Sequence, residues 1–231
     1  MKDNIIRYRE MCAAEQHDML QKGMNFRLNP QYSVLLMSQR TNAPYKDAIH
    51  PDGITIEYEG HDLPRSQQIR DPKTVDQPRF TRGGKPTENG KFADAVDQYK
   101  KDPTKCEIVR MYEKVFDGVW SEKGFFKLID YKIVNDGTRK VFRFILEEVE
   151  VSFEHKKVEI TLGKERSRII PSSVKKEVWA RDGGKCVMCG STDELHFDHD
   201  LPYSKGGTSI TAANVRILCA RHNLQKSAKI E

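Results

Sequence analysis

The sequence predicts an α+β protein in two parts. The larger, N-terminal part is a curved β-sheet or barrel with flanking helices, and the C-terminal part is a small domain stapled by a metal. Three observations carry this. Runs such as Ile54–Tyr58 and Val141–Val149 alternate apolar and polar residues with the two-residue period of a half-buried strand. Asn135-Asp136-Gly137 between two such runs is a hairpin signal. Three of the five cysteines fall in the last 46 of 231 residues. A length of 231 residues is enough for two domains of about 100 to 150 residues, each with its own core.

In chain order, Asn4 to Gly23 reads as a helix, with Ile5, Ile6, Tyr8, Met11, Cys12, Met19 and Leu20 at partly helical spacing, Asn4 as cap and Gly23 as stop. Ser33–Met37 and Ile54–Tyr58 read as strands of a mainly antiparallel sheet. From His61 to Lys91 periodicity disappears, and the segment carries Pro64, Pro72, Pro78, Pro86, Gly83-Gly84 and seven basic residues. So long a stretch is either a solvated loop or a functional one laid along a phosphate backbone. In the second case Arg79, Arg82 and Lys85 contact DNA and Phe80 is available to stack or wedge. Phe92, Ala95, Val96 and Tyr99 then mark one face of a helix. Strands follow at Cys106–Met111, Phe125–Val134 and Val141–Val149. A charged connector containing His155, Lys156, Lys164, Glu165 and Arg166 surrounds a short Val158–Leu162 run and places a boundary near residue 160. The division is 1–155, a linker 156–170, and 171–231. Pro171, Ser172 and Ser173 start a last helix with Val174, Val178 and Trp179 on one face, closed by Gly183-Gly184.

Composition excludes several classes. No run approaches the roughly 18 consecutive apolar residues of a membrane span, and Met1 is followed by Lys2, Asp3 and Asn4 rather than a signal-peptide core. The expected protein is soluble, intracellular and cytoplasmic, with no membrane partner. An odd cysteine count in a chain of this length points away from a disulfide framework and towards metal. The net charge of +5 is uneven: residues 161–231 hold 12 Lys+Arg against 8 Asp+Glu, and residues 1–160 hold 27 against 26. Charge alone is as compatible with simple solubility as with a polyanionic partner.

The C-terminal chemistry is more specific. Cys186 and Cys189 are separated by two residues, as are Cys219 and His222, and zinc prefers a tetrahedron of thiolates and imidazoles gripped from tight turns. Four ligands leave no open position, so this zinc is structural. Between the two half-sites lie His196, Asp198, His199 and Asn214, and Asn223 follows the last ligand. A carboxylate beside an imidazole suits phosphodiester hydrolysis, one holding a divalent cation and the other taking a proton from water near pH 7.

With Arg181-Asp182, Cys186, Cys189-Gly190, Asp198-His199, Pro202, Lys205-Gly206-Gly207, Asn214, Leu218-Cys219, Asn223 and Lys226, the segment 167–229 resembles the HNH nuclease family, the ββα-metal fold in its zinc-stapled form. The resemblance implies that His199 is the general base, Asp198 and Asn223 hold a catalytic Mg²⁺ or Mn²⁺, Asn214 orients the loop around His199, and Lys226 contacts DNA. It also implies 5′-phosphate and 3′-hydroxyl ends. His222 stands where the commonest pattern has a fourth cysteine. For His196 a structural or substrate-contacting role is as open as a metal role.

Residues 30 to 150 resemble the SRA domain, a reader of modified cytosine, on Tyr45-Lys46-Asp47, Ile54–Gly60, Thr87–Ala93, Val109-Arg110, Phe116–Trp120, Phe125–Tyr131 and Val141–Leu146. A reader of this kind extrudes the base and recovers a few kcal/mol of lost stacking by sandwiching it between aromatic faces. The resemblance makes Tyr45 and Tyr58 the stacking faces, Tyr58 being equally readable as a core aromatic, and Asp47 or Asp52 the acceptor of the cytosine amino group. Glu59 stands where the family has a small residue such as threonine.

Together these resemblances imply a modification-dependent restriction endonuclease acting on double-stranded DNA that carries 5-methylcytosine or 5-hydroxymethylcytosine. One HNH centre cuts one strand, so a homodimer is expected on DNA. The alternatives are an HNH homing or nicking endonuclease for unmodified sequence, and a non-catalytic zinc-dependent DNA-binding module.

Overall fold

The computed structural model describes residues 3–154, 157–161, 169–201, 207 and 210–227. In chain order the elements are β1 (Asn4–Arg7), α1 (Tyr8–Ala14), β2 (Met24–Asn29), β3 (Tyr32–Met37), β4 (Ala48–Ile49), β5 (Thr55–Glu59), α2 (Glu88–Lys101) and β6 (Ile108–Phe116). They continue as β7 (Val119–Asn135), β8 (Lys140–Glu154), β9 (Lys157–Thr161), α3 (Ser172–Asp182), β10 (Leu195–His199), β11 (Val215–Cys219) and α4 (Ala220–Ser227). His155, Lys156, Lys164, Glu165 and Arg166 of the connector lie outside the described residues, as do Pro202, Lys205 and Gly206. No helix among the described residues is long and apolar enough to cross a membrane.

The strands form one sheet whose main path runs β11-β10-β1-β7-β6-β3-β2, with β8 attached to β7 and carrying β5 and β9, and β4 beyond β5. The α+β class stands. The barrel alternative does not, because this path has two ends and the sheet stays open. The length of β7 makes the branching possible: residues 119–122 pair with β1 and residues 125–135 with β8, while β6 runs along the other edge. All described pairings are antiparallel except β3 with β6. A parallel pair needs a crossover, and α2 lies in the connection that supplies it.

The helix α2 forms where its spacing predicts. Thr87 Oγ1 accepts the Gly90 N–H at 3.1 Å as N-cap. Phe92, Ala93, Ala95 and Val96 are buried with Val109, Met111, Phe126 and Phe144 of the sheet. A second core packs Met11, Cys12, Leu20, Tyr32, Val34 and Tyr112, with Cys106 partly buried against it. Cys12 and Cys106 are thus packing residues.

The expected helix from Asn4 to Gly23 is corrected. Asn4–Arg7 is strand, because it pairs with Glu122–Val119 of β7 and, through Asn4, with His196 of β10. Helical spacing in residues 4–7 is outcompeted by backbone pairing on both sides, and only Tyr8–Ala14 is helical. The hairpin at Asn135-Asp136-Gly137 forms as expected: Gly137 has φ +102°, and Asp136 N–H donates to Arg139 O at 2.9 Å.

Candidate active site and metal centre

β10 and β11 form a hairpin with Leu195 opposite Cys219, Phe197 opposite Ile217 and His199 opposite Val215, and α4 follows β11 without a loop. Their inner faces, with Val174 and Val178 of α3, make the third core. Asp182 and Arg181 close the end of α3 onto this hairpin. Asp182 Oδ2 accepts the Ile217 N–H at 2.9 Å, and the Arg181 guanidinium donates to Ala212 O at 2.6 Å and Val215 O at 2.7 Å. Gly183, with φ +65°, ends the helix as the sequence predicts.

Cys186, Cys189, Cys219 and His222 converge, their ligand atoms all lying within 4.8 Å of one another. Cys186 Sγ is 3.4 Å from His222 Nδ1, Cys219 Sγ is 3.3 Å from the same nitrogen, and Cys189 Sγ is 3.9 Å from Cys219 Sγ. A tetrahedron with zinc–sulfur arms of about 2.3 Å has edges of about 3.8 Å, so the quartet fits one zinc ion. The first half-site is a tight turn, in which Gly190, at φ +75°, donates its N–H to Cys186 O at 2.7 Å. Burial works to raise the Cys186 thiol, but the N–H groups of Cys219, Met188 and Cys189, with His222, outweigh it and bring it down to about 6. A thiolate is the form that metal needs.

Asp198 and His199 end β10, and Asn223 and Lys226 lie one turn apart on α4. Lys226 Nζ donates to both Asp198 Oδ2 and His199 O and so bridges the strand end. Burial lowers the His199 imidazole below its ordinary value; Asp3 and Asp198 oppose this, and Lys226 and Lys175 reinforce it. A neutral imidazole is the proton-accepting form. Asn214 holds the turn that follows β10. Its Oδ1 accepts the Leu201 N–H at 2.8 Å, its Nδ2 donates to Leu201 O at 2.9 Å, and its own carbonyl accepts the Asp200 N–H at 2.7 Å. The chain leaving His199 is thereby held at both polar groups of Leu201. Gly207 abuts the same turn, where a Cβ would lie 1.8 Å from Leu201 O. His196 is buried in mid-strand opposite Asn4 and Leu218, a structural position.

In the N-terminal part, Tyr45, Asp47 and Tyr58 come together around a residue that sequence reasoning passed over, His61. Its ring stacks on Tyr45 with centroids 4.6 Å apart and planes 6° from parallel, lies 6.1 Å from the Tyr58 ring, and has Nε2 3.0 Å from the Tyr58 hydroxyl. The buried Asn89 holds it, accepting the His61 N–H and donating to its carbonyl, both at 2.8 Å. Tyr58 is buried in the main core. Both Asp47 oxygens are engaged, by the N–H groups of Ser38 and Glu59 at 3.0 Å each, and burial pushes its carboxyl up to about 7. Asp52 is spent locally, capping Ile54 and Thr55.

Burial pushes His61 down to about 4 from an ordinary 6.5. The unfolded chain takes up a proton near pH 6.5 that the folded protein refuses until about pH 4. Its contribution is therefore complete above about pH 6.5 and is lost as pH falls towards 4, a span worth at most about 3 kcal/mol. Urea midpoints followed from neutral to acid pH should fall through this window in the wild type and flatten there in His61→Gln; an equal slope in both would remove His61 as the cause.

The basic segment is irregular, as expected, yet pinned. Buried Gln77 donates to Gly60 O at 2.6 Å and accepts the Phe142 N–H at 2.9 Å. The Arg79 guanidinium is bound to Asp94 at 2.5 Å, Asp97 at 2.6 Å and the Tyr131 hydroxyl at 3.0 Å, a clamp onto α2 rather than an open cation. Beyond it Phe80 bridges Pro86, and Arg82, Lys85 and Phe80 are exposed at the tip.

Hairpin and short helix form a ββα unit that carries a Cys₃His quartet able to hold a metal and a carboxylate–imidazole pair at a strand end. Residues 186–229 match the model of the HNH endonuclease family. No curated protein sequence is detectably similar to the chain. Among solved structures, the SUVH5 SRA domain in complex with hemi-methylated CG DNA aligns with 64% of this chain and 87% of its own, at 15% identity and TM-score 0.44. The modification-dependent TagI restriction endonuclease aligns with 98% of this chain and 76% of its own, at 18% identity and TM-score 0.42. SUVH5 SRA bound to fully hydroxymethylated CG DNA aligns with 62% and 85%, at 16% identity and TM-score 0.43.

Proposed function

We propose that the protein is a modification-dependent DNA endonuclease, with a reader in residues 1–155, a linker at 156–170 and an HNH nuclease in 171–231. The observation that carries the nuclease assignment is the HNH match over a segment in which Asp198 and His199 end β10, Asn223 lies on the following helix α4, and Cys186, Cys189, Cys219 and His222 converge. In this reading the quartet holds structural zinc. His199 takes the proton from the attacking water, and Asn214 keeps the chain beyond it in place. Asp198 and Asn223 offer an oxygen set suited to a hard divalent cation, Mg²⁺ or Mn²⁺, which on binding stabilises the charge developing on the phosphate and on the leaving 3′-oxygen. Lys226 is the group such a cation replaces at Asp198.

The reader assignment rests on the SRA-type sequence pattern and on the aromatic cluster of Tyr45, Tyr58 and His61. A flipped cytosine carrying a 5-methyl or 5-hydroxymethyl group stacks on Tyr45 in the place His61 now takes. Arg82, Lys85 and Phe80 at the exposed tip meet the duplex. Two copies acting on DNA give a double-strand cut, and the setting is the cytoplasm. The test is cleavage of matched duplexes with unmodified, methylated and hydroxymethylated cytosine, with Mg²⁺ or Mn²⁺. Cutting confined to modified duplexes is expected; equal cutting of all three would leave a nuclease that reads unmodified sequence.

A further inference from the structure

The two functional parts meet at a seam built from buried charge. The Lys175 side chain, on the nuclease helix α3, is fully buried. Its ammonium donates to Asp3 Oδ1 and to Ser121 Oγ at 2.7 Å, and lies 3.5 Å from Glu113 Oε2. Glu113 on β6 is also fully buried and receives Lys123 of β7 at 2.8 Å. Two cations and two carboxylates thus balance one another, contributed by the segment before β1, by the reader strands and by the nuclease helix. Asp3 also ties the backbones together: its N–H donates to Glu122 O at 2.8 Å, and its carbonyl accepts the Phe197 N–H at 3.1 Å, two residues before His199. Asn4 continues the seam, opposite both Glu122 and His196.

Burying four charges is costly unless each is matched in place, and apolar side chains would pack such a seam with less demand on geometry. What matched charges impose is a single arrangement, since any slip leaves a buried ion unpaired. We infer that Lys175, with Asp3, Glu113 and Lys123, is a positioning joint that locks the nuclease onto the reader in one orientation, so that the cut falls at a fixed offset from the recognised base. The inference rests on the reader–nuclease assignment above. It separates this protein from one whose nuclease swings on the 156–170 linker and cuts at scattered distances.

The experiment maps cleavage ends, at nucleotide resolution, on duplexes carrying one modified cytosine, for the wild-type protein, Lys175→Met and Lys175→Arg. The expected wild-type pattern is one dominant offset on each strand. Lys175→Met should keep its zinc and its dependence on the modification while its ends spread over about a helical turn of DNA, and Lys175→Arg should restore most of the sharpness. Where Lys175→Met does not fold, Glu113→Gln takes its place. Scattered ends with the wild type, or ends as sharp in the variant as in the wild type, overturn the joint. Equal cutting of unmodified duplex instead overturns the reader assignment. Amide exchange at Phe197 then decides the joint separately: slow exchange in the wild type that becomes fast in the variant supports it, and fast exchange in the wild type overturns it.

Discussion

Replacing Cys186 with serine, or stripping the metal with a chelator, should abolish cleavage and unfold the C-terminal segment while the N-terminal sheet stays folded. The core beneath the hairpin comes mainly from α3, β10 and β11, with Ile170, Cys186 and Ala212, a small set for an independent unit. Structural zinc in comparable modules contributes about 10 kcal/mol or more of apparent binding free energy, as much as the total stability of many domains, about 5–15 kcal/mol. Loss of one ligand also leaves three others converged without an ion to hold them, with the sulfurs of Cys189 and Cys219 only 3.9 Å apart. The checks are zinc content, expected at one ion per chain, and limited proteolysis, which should cut the variant between β10 and α4 first. A zinc-free protein that still resists proteolysis and still cuts DNA would refute a structural role for the quartet.

Replacing His199 with alanine should lower the cleavage rate by about 10²–10⁴-fold, the usual contribution of a positioned general base. Zinc content and binding to modified duplex should be unchanged. The substitution is selective because His199 sits at the outer end of β10, beyond the packed Leu195 and Phe197, and outside the ligand quartet. Single-turnover rates measured beside duplex binding separate the two effects. A variant that cuts like the wild type would move the base elsewhere; a wild type that never cuts with Mg²⁺ or Mn²⁺ would favour a DNA-binding module.

The C-terminal segment was far more legible in the sequence than the N-terminal part. Metal ligation restricts residue type and spacing at once, so Cys186, Cys189, Cys219 and His222 could be named together, and the structure brings all four to one point. The turn chemistry of Gly137 and Gly183 was equally readable, because a positive φ leaves a short choice of residues. The role of Arg79 was not. A guanidinium in a basic loop reads the same whether it awaits a phosphate or is held by Asp94 and Asp97, which lie 15 and 18 residues away. His61 escaped notice for a similar reason: a lone histidine beside a strand carries no spacing signal, and only folding sets it against Tyr45.

By itself the sequence determined the chemistry that is local: the metal quartet, the carboxylate–imidazole pair at Asp198 and His199, the hairpin turn and the amphipathic face of α2. Each depends on residues close in the chain or on a ligand geometry with few solutions. The tertiary structure alone decided what depends on distant partners. It made Asn4–Arg7 a strand instead of a helix, left the sheet open rather than closed, put Lys226 on Asp198, and buried Lys175 among Asp3, Glu113 and Ser121. The physical reason is the same in each case: a backbone edge or a buried charge is satisfied by whatever partner the fold delivers, and those partners are as distant in the chain as Asp3 from Lys175 and Asn4 from His196.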